Sequence, residues 1–291
     1  MAQIVTIINF KGGVGKTTCS VEIACSLAKY YGRRTLLVDL DPQASATFYV
    51  MEQDQWKKWK DQRGTTYNLF EQHTSTFSIR NAIVRDVISG VVLVPGFDLL
   101  PSTPDLIDVD LRLADFVGYN ILQRHLDEIS AEYDYIICDC PPNFNPVTKN
   151  SIWASDAYVI PTIPDFLSTY GIGLLQRSVH KFFGSTSLPQ TPVPTLGGII
   201  LTRVKTRAIL SATFCEQVRF DYSNKVFKHM ISDSIKIAEA AGSRLPISAI
   251  ASPKEEHLAK LQDQFRALAE EFICRIRHIN PSRKSNPLSP L

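Results

Sequence analysis

The sequence predicts an α/β fold, in which a predominantly parallel twisted sheet carries helices on both faces within a single domain. Three observations support this prediction. Seven short apolar runs are rich in β-branched residues and bounded by Gly, Pro or Asp, which is typical of strands buried on both faces. Amphipathic stretches of helical length lie between several of these runs, and such alternation favours parallel pairing. With 291 residues, 44% of them hydrophobic, the chain can bury one full core.

The predicted elements follow in chain order. The strands cover residues 4–10, 34–40, 91–95, 133–139, 157–162, 197–204 and 225–231. The helix TTCSVEIACSLAKYY follows the first strand, and Gly32 would end it because glycine readily adopts left-handed backbone. A second helix candidate covers residues 120–133, and a last amphipathic helix extends from Pro253 to about Ile279. Residues 51–80 are more polar, and we expect surface helices and loops there.

Composition narrows the class of protein and its location. No charged leader or small-residue cleavage site precedes the first strand, and no apolar run approaches eighteen residues, so we expect a cytoplasmic protein. The six cysteines include no C-x-x-C pair, which argues against a zinc or iron–sulfur site and favours buried reduced thiols. We expect residues 1–279 to form the domain and residues 280–291 to form a disordered tail.

A glycine-rich loop, NFKGGVGKTT, lies between the first strand and the first helix. Backbone amides from Gly12 to Gly15 can point at phosphate oxygens, and the helix N-terminus adds a positive dipole. Lys16 would then reach the β- and γ-phosphates, and the Thr17 hydroxyl would coordinate magnesium. The alternative is a glycine turn that binds nothing, but lysine, threonine, strand and helix all agree within one window. The loop also contains a second lysine, Lys11, whose target the loop alone does not reveal.

Acidic residues end two of the predicted strands. Asp39 ends one strand, Asp41 follows two residues later on the same side, and Asp139 ends another. Carboxylates at strand ends beside a phosphate loop hold magnesium-bound waters, whereas a carboxylate left facing the γ-phosphate can orient the attacking water. We therefore assign Asp39 and Asp139, with Thr17, to magnesium, and Asp41 to catalysis with Lys16. The alternative is that these carboxylates are helix N-caps.

The segments KGGVGKTT, VDLDPQAS and YIICDCPP resemble the deviant Walker A, Walker A′ and Walker B motifs of the ParA-type partition ATPases, within the class that includes MinD. The similarity continues through LLPSTPDL, IPTIPDFLSTYGIGLL, GIILTRVKTRAILS and SIKIAEAAG, and it covers most of residues 1–250. The first motif is highly specific, and the later ones are suggestive. The resemblance implies a deviant Walker P-loop fold with ATP and Mg²⁺ as cofactors.

The resemblance also implies a role for the second lysine. In this family two ATP-bound subunits face each other in a homodimer, and the early lysine reaches into the partner's site. Lys11 would therefore contact the phosphates of the opposite subunit's ATP and contribute to catalysis; the alternative is a solvated loop lysine. The nucleotide-contacting positions carried over from the family are Lys11, Gly12, Gly13, Val14, Gly15, Lys16, Thr17, Thr18, Thr202 and Arg203.

Family resemblance and charge together point to a nucleic-acid partner. Residues 199–291 contain 15 Lys and Arg against 9 Asp and Glu, a net charge of +6, whereas residues 1–198 have a net charge of −4. Such a basic half suits sequence-independent contact with phosphate backbones, although a solvated charged face is the alternative. Arg207 and Lys236 match DNA-contacting positions of the family, and Lys236 stands where relatives commonly have arginine.

The resemblance implies a functional cycle. The ATP-bound dimer would bind nucleoid DNA and partition or position a plasmid, a chromosome or a protein organelle. A ParB-like or other adaptor protein would stimulate an otherwise slow hydrolysis. One departure concerns the base: relatives often have Ile-Pro where this chain has Ile231 and Ser232, so the usual packing of that segment on adenine is in doubt.

Two rival classes share parts of the pattern. A MinD-like membrane-surface ATPase requires a terminal amphipathic segment, and the last ten residues have one leucine pair split by Pro290, so we expect no stable membrane association. A reductase of the nitrogenase iron-protein type requires cysteines that bridge a cluster between subunits. Cys138 and Cys140 flank Asp139 on a predicted strand and should point to the same face inside the sheet.

Overall fold

The structure is a computed structural model that describes residues 1–71, 77–89, 92–112, 119–185, 192–205, 208–251, 253 and 255–279. The strands are β1 (Gln3–Ile7), β2 (Thr35–Asp39), β3 (Ile88–Ser89), β4 (Val92–Leu93), β5 (Phe97–Leu100), β6 (Tyr135–Asp139), β7 (Ala157–Thr162) and β8 (Thr195–Leu201). The helices are α1 (Lys16–Tyr31), α2 (Ser45–Val50), α3 (Gln53–Arg63), α4 (Thr66–Leu69), α5 (Ile79–Ala82), α6 (Leu106–Arg112), α7 (Ile121–Ile129), α8 (Pro146–Ala154), α9 (Phe166–Ser185), α10 (Ile209–Tyr222), α11 (Ile235–Gly242) and α12 (Glu256–Ile276).

The predicted fold class is confirmed. Within the described residues, six strands form one sheet in the order β5-β2-β6-β1-β7-β8, and every pair is parallel. Successive side chains of a strand point to opposite faces, so Ile4 and Val5 enter different cores. Helices α1 and α12 cover one face, and α7, α8 and α9 cover the other. None of the helices in the described part of the chain is long and apolar enough to span a membrane.

The run at residues 91–95 was wrongly predicted as a strand of the main sheet. Residues Val92–Leu93 pair antiparallel with Ile88–Ser89 in a separate two-stranded sheet, and the place in the main sheet belongs to β5. The chain turns at Gly96, whose φ of 79° suits glycine. Strand β5 was not predicted because it contains the polar residue Asp98. The buried carboxylate of Asp98 accepts hydrogen bonds from Arg85 and Tyr133, and no local sequence pattern indicates these partners.

The predicted strand at residues 225–231 is also wrong. Within the described residues, this segment lies beside β8 and meets it at one isolated parallel bridge, between Val226 and Ile199. Side chains bind its outer backbone groups in place of another strand. Arg275 donates to the Val226 carbonyl at 2.7 Å, and Glu271 accepts from the backbone N–H of Lys228 at 2.9 Å. Because side chains of α12 satisfy these groups, the segment does not need a continuous ladder.

The helix predictions agree closely with the structure. Gly32 ends α1 with a φ of 60°, and its N–H bonds to the Ala28 carbonyl. The candidate at 120–133 contains α7 followed by a 3₁₀ turn, and α12 is slightly shorter at both ends than expected. The polar segment 51–80 contains α3, α4 and the start of α5, with residues 72–76 outside the described part. The tail predicted for residues 280–291 also lies outside the described residues.

Candidate nucleotide-binding site

A cavity of about 870 Å³ opens at the carboxyl edge of the parallel sheet, where β1, β2 and β6 end. Ligands bind at this edge in open α/β sheets because the loops that follow the strands meet there. The glycine-rich loop forms one end of the cavity, and α11 forms the other. The residues that line it include Gly12, Gly13, Gly15, Lys16, Thr17, Thr18, Asp41, Tyr49, Thr202, Arg203, Ile231, Asp233, Ile237 and Ala241.

The loop between β1 and α1 has the backbone that a phosphate cradle requires. Gly13 and Gly15 have φ angles of 71° and 80°, a region that residues with a Cβ rarely adopt. A Cβ built on Gly12 or Gly13 would meet no atom within 4 Å, so the loop presents bare backbone to open space. Helix α1 begins directly afterwards at Lys16 and adds its N-terminal amides. This arrangement suits a group with several negatively charged oxygens.

Lys16 places a buried positive charge at the loop. Its side chain is 7% exposed, and its Nζ donates to the Lys11 carbonyl at 3.2 Å. Burial lowers the pKa of the Lys16 amine, while the negative charges of Asp139 and Asp41 oppose that shift. A bound phosphate would supply the anionic partner that a buried ammonium group needs.

Thr17 and Asp139 meet beneath the loop. The Thr17 hydroxyl donates to Asp139 Oδ2 at 2.8 Å, and the Ser20 hydroxyl donates to Oδ1 at 2.8 Å. Burial raises the pKa of Asp139 to about 6, against the opposing hydrogen bonds from Ser20 and Thr17. A hydroxyl beside a carboxylate is a donor set that magnesium favours. The residues present therefore fit the predicted magnesium site.

Asp39 lies opposite Asp139 in the register of β2 and β6, fully buried. Its Oδ2 accepts from the backbone N–H and the hydroxyl of Thr47, and its Oδ1 accepts from the Asp41 N–H at 3.1 Å. Burial, followed by the charge of Asp139, raises the pKa of Asp39 to about 8. One of its oxygens thus holds the turn at Asp41, and the other holds Thr47 in α2. Any contact of Asp39 with magnesium stays a prediction.

Asp41 stands on the cavity wall with 9% of its surface exposed. Its Oδ1 accepts from the Gln43 N–H at 2.9 Å, and its backbone carbonyl accepts from Ser102 at 2.7 Å. The turn is therefore fixed on both sides. The carboxylate faces the same cavity as Lys16 and Thr17, which is the arrangement required of a group that orients a water near a phosphate.

The Lys11 side chain lies within its own subunit. Its Nζ donates to Asp165 Oδ2 at 2.7 Å and to the Ser168 hydroxyl at 3.0 Å, at the start of α9. Burial would raise the pKa of Asp165, but the hydrogen bonds from Lys11 and Ser168 outweigh it and lower that pKa. Sequence reasoning missed this ion pair because 154 residues separate its members.

The far end of the cavity offers an apolar wall with one polar pair. Ile231, Ile237 and Ala241 line this end, which lies away from the phosphate loop. Arg203 spans the two ends: its Nη1 donates to the Gly13 carbonyl at 3.3 Å, and its Nε donates to Asp233 at 3.2 Å. An apolar wall with a few polar groups suits a nucleobase.

Other predicted residues fall at three different places. Thr202 donates to the Val14 carbonyl at 2.7 Å and so supports the phosphate loop from behind. Ser232, the departure from the family's proline, exchanges two hydrogen bonds with Gln264. Lys236 lies outside the cavity and pairs with Glu239 and Glu255 at 3.1 Å and 3.0 Å. Arg207 lies outside the described residues.

The two cysteines considered for a bridging cluster lie inside the molecule. Cys138 and Cys140 are both buried in the core on the α7–α9 face. Burial raises the pKa of the Cys138 thiol to about 12 and that of Cys140 well above its usual value. Two inert buried thiols cannot reach a cluster at a subunit surface. Across the described part of the chain, no group of three or more His, Cys, Asp or Glu residues is placed to hold a metal ion.

Sequence reasoning also missed a buried carboxylate behind the cavity. Glu22, in the middle of α1, is fully buried and accepts from the backbone N–H groups of Ile247 and Ser248 at 2.8 Å and 2.9 Å. It also accepts from the Ser248 hydroxyl and from Tyr49, whose ring lines the cavity. Burial raises the pKa of Glu22, although these donors oppose the shift. Glu22 therefore ties the wall of the cavity to the segment before α12.

Replacing Glu22 with alanine should lower the free energy of unfolding by about 3 kcal/mol, because two buried backbone N–H groups would be left without an acceptor. Urea denaturation followed by circular dichroism measures this change. Glu22→Gln is the matched control, because it keeps a carbonyl acceptor, and it should be destabilised by less than half as much. Equal stability of Glu22→Ala and the parent chain would show that water or other groups replace the carboxylate.

The sequence matches a protein family model and the sequences of several known proteins. Residues 2–187 match a protein family described as an AAA domain. The chain is 33% identical over 251 residues to the sporulation initiation inhibitor protein Soj of Bacillus subtilis, and the match covers 85% of this chain and 90% of Soj. It is 29% identical over 248 residues to the chromosome partitioning protein ParA of Caulobacter vibrioides, covering 84% and 86% of the two chains.

Solved structures of known proteins have a similar fold. Cobyrinic acid a,c-diamide synthase from Mycobacterium smegmatis, with a bound ATP analog and magnesium, superposes with a TM-score of 0.67 at 26% identity, covering 84% of this chain and 92% of that one. McdA of Cyanothece in complex with ATP gives a TM-score of 0.74, covering 93% and 96%, but at 19% identity it supports the fold alone. With a family match over more than half of its length and a relative 33% identical across 85% of it, the chain belongs to the ParA-type partition ATPases.

Proposed function

We propose that this protein is an ATPase that dimerises when it binds ATP, binds DNA without sequence preference in that state, and partitions or positions a cargo. The observation that supports the ATPase activity most strongly is the phosphate loop. Buried Lys16, Thr17 and Asp41 line one end of a cavity large enough for a nucleotide, and Asp139 accepts a hydrogen bond from the Thr17 hydroxyl at 2.8 Å. The names of relatives, a chromosome partitioning protein among them, support the cellular role.

Each residue has a distinct task in this proposal. Lys16 and the loop amides would hold the phosphates and neutralise their charge, while Thr17 and Asp139 would hold Mg²⁺. The metal ion, when bound, would stabilise negative charge on the transferred phosphoryl group. Asp41 would hold and orient the attacking water. The apolar wall of Ile237 and its neighbours would accept the base.

Dimerisation would link the nucleotide to the rest of the cycle. The partner's Lys11 would contact the ATP of this subunit, so the dimer would form only when ATP fills the site. A pair of basic halves, each with a net charge of +6 over residues 199–291, would then face the DNA together. An adaptor protein would stimulate hydrolysis and release the dimer. Without that partner we expect turnover well below the ~10 per second typical of metabolic enzymes.

The test of this function is DNA binding in three nucleotide states. Gel-shift titrations of random DNA duplexes with ATP, with ADP and without nucleotide should show binding with ATP alone. The affinity should fall steeply with salt concentration. Each phosphate contact should add about −0.9 to the slope of log affinity against log salt. Vesicles of anionic lipid serve as the second arm. Equal DNA binding in all three states, or a preference for vesicles over DNA, would contradict the proposal and favour a MinD-like membrane-surface ATPase.

A further inference from the structure

A second cavity, of about 320 Å³, lies next to the nucleotide cavity and separate from it. Three parts of the chain line it: the residues that follow β8, the segment around Ser232, and the first turns of α12. Lys205 lies in the segment after β8. The residues from α12 are His257, Lys260 and Gln264, whose spacings of three and four residues place them on one face of the helix.

The charge of this second cavity is mainly positive. Lys205 and Lys260 both line it and are exposed, and neither makes an ion pair within the part of the chain that the structure describes. The acidic residue on its wall is Asp233, whose carboxylate is engaged by Arg203 at 3.2 Å. The Nε2 atom of His257 and the Ser234 hydroxyl form a hydrogen bond of 2.7 Å. Two lysines with unused charge around a small polar hollow match an anion of phosphate size.

Lys236 is in a different position. Its Nζ lies 3.1 Å from Glu239 and 3.0 Å from Glu255, and the hydrogen bonds that it donates to these two carboxylates raise the pKa of its amine. A phosphate that approached Lys236 would meet two carboxylates beside it and would have to displace them. The residue that aligns with a DNA-contacting position of the family is thus the one whose charge is already compensated in this chain. Lys205 and Lys260 are not compensated in this way.

The location also favours a response to nucleotide. Asp233 lines both cavities, and the short segment from Ile231 to Ser234 forms the partition between them. Ile231 and Ser234 face the nucleotide cavity, while Ser232 is held to α12 by two hydrogen bonds with Gln264. An anion in the second cavity would therefore lie one segment away from the base-binding wall, on the same edge of the sheet.

We propose that this second cavity binds a backbone phosphate of duplex DNA, with Lys205 and Lys260 as the cations that contact it, and that Lys236 does not serve in this role. The assignment rests on the proposed function, because it requires DNA to be the partner. The sequence predicted that Lys236 contacts DNA. This proposal assigns the contact instead to the two lysines of the second cavity, whose charges are not compensated by a carboxylate within the described residues.

The experiment measures the affinity of the full chain for a random DNA duplex, with a non-hydrolysable ATP analogue, at several salt concentrations. Each of Lys205→Ala and Lys260→Ala should reduce the steepness of log affinity against log salt by about 1.8, because each removes one phosphate contact, worth about 0.9, from both subunits of the DNA-bound dimer. The double variant should bind at least about tenfold more weakly at moderate salt. Lys236→Ala should stay within about twofold of the parent chain. Binding of the ATP analogue should be unchanged in all three, because none of these side chains lines the nucleotide cavity.

Lys181→Ala is the matched control for net charge. This exposed lysine lies near the end of α9, away from the second cavity, and its removal should leave both the slope and the affinity unchanged. If Lys205→Ala and Lys260→Ala keep the parental slope, or if Lys236→Ala weakens binding the most, the assignment is wrong while the proposed function stands. If the parent chain binds no DNA in any nucleotide state, both are wrong.

Discussion

Replacing Lys16 with alanine should abolish Mg-ATP binding, with a loss of affinity of at least about a hundredfold, or ~2.7 kcal/mol. Lys16 is only 7% exposed and lies at the glycine-rich loop. A hydrogen bond between its buried ammonium group and a phosphate would be charge-assisted and therefore stronger than a neutral hydrogen bond. Thr17→Ala should also lose Mg-ATP binding, because it removes the hydroxyl that contacts Asp139 at 2.8 Å. Titration calorimetry measures the binding, and circular dichroism checks that the fold is intact.

Asp41→Ala is the contrasting variant. It should bind Mg-ATP within a few-fold of the parent chain yet fail to hydrolyse it, because Asp41 lines the cavity while other groups would hold the phosphates and the metal ion in the proposed mechanism. Asp41→Asn keeps the acceptor for the Gln43 N–H and should give the same separation of binding from turnover. Loss of ATP binding in either variant, with the fold intact, would place Asp41 in the magnesium shell instead.

The parts of the fold that could be predicted from the sequence have local causes. Strands β1, β2, β6, β7 and β8 lie in nearly continuous apolar runs, and burial on both faces of a sheet favours such runs. The phosphate loop needs glycines for its positive φ angles, followed by a lysine at the start of a helix. Each requirement leaves a mark within a few residues of the position concerned. Five strands of the sheet and the backbone conformation of the glycine-rich loop therefore followed from the sequence.

What could not be predicted depends on partners distant in the chain. Strand β5 contains Asp98, which is tolerated in the sheet because Arg85 and Tyr133 bind it. The segment 225–231 has the composition of a strand, but its outer backbone groups are bound by Arg275 and Glu271, so it needs no further pairing. These partners lie from 13 to 49 residues away.

The same holds for the site. Glu22 has the appearance of an ordinary polar residue of an amphipathic helix, and only the backbone of residues 247 and 248, more than 220 residues later, makes it a buried acceptor. The compensation of the Lys236 charge likewise depends on Glu255, which lies 19 residues away. Charge composition correctly identified a basic half, but composition cannot distinguish a lysine with free charge from one held by two carboxylates.

Lys11→Ala should keep nucleotide affinity through Lys16 but lose hydrolysis and weaken ATP-driven dimerisation. In this structure the Lys11 ammonium group lies on Asp165, and both side chains are more than a third exposed. An exposed pair of this kind contributes at most about 1 kcal/mol, so the lysine can leave it for a better partner. The phosphates of an ATP in the facing subunit, with several negative charges, are such a partner. Sedimentation with ATP and a phosphate-release assay measure the two effects.

Asp165→Asn separates the lysine from its ion pair. It removes the same ion pair within the subunit but leaves Lys11 in place, so a defect caused merely by a weakened start of α9 would appear in both variants. We expect Asp165→Asn to dimerise with ATP and to hydrolyse it, because the lysine is then free to cross the interface. If Lys11→Ala hydrolyses ATP normally, the lysine serves no partner subunit, and its only role is the contact with Asp165 and Ser168 that the structure shows.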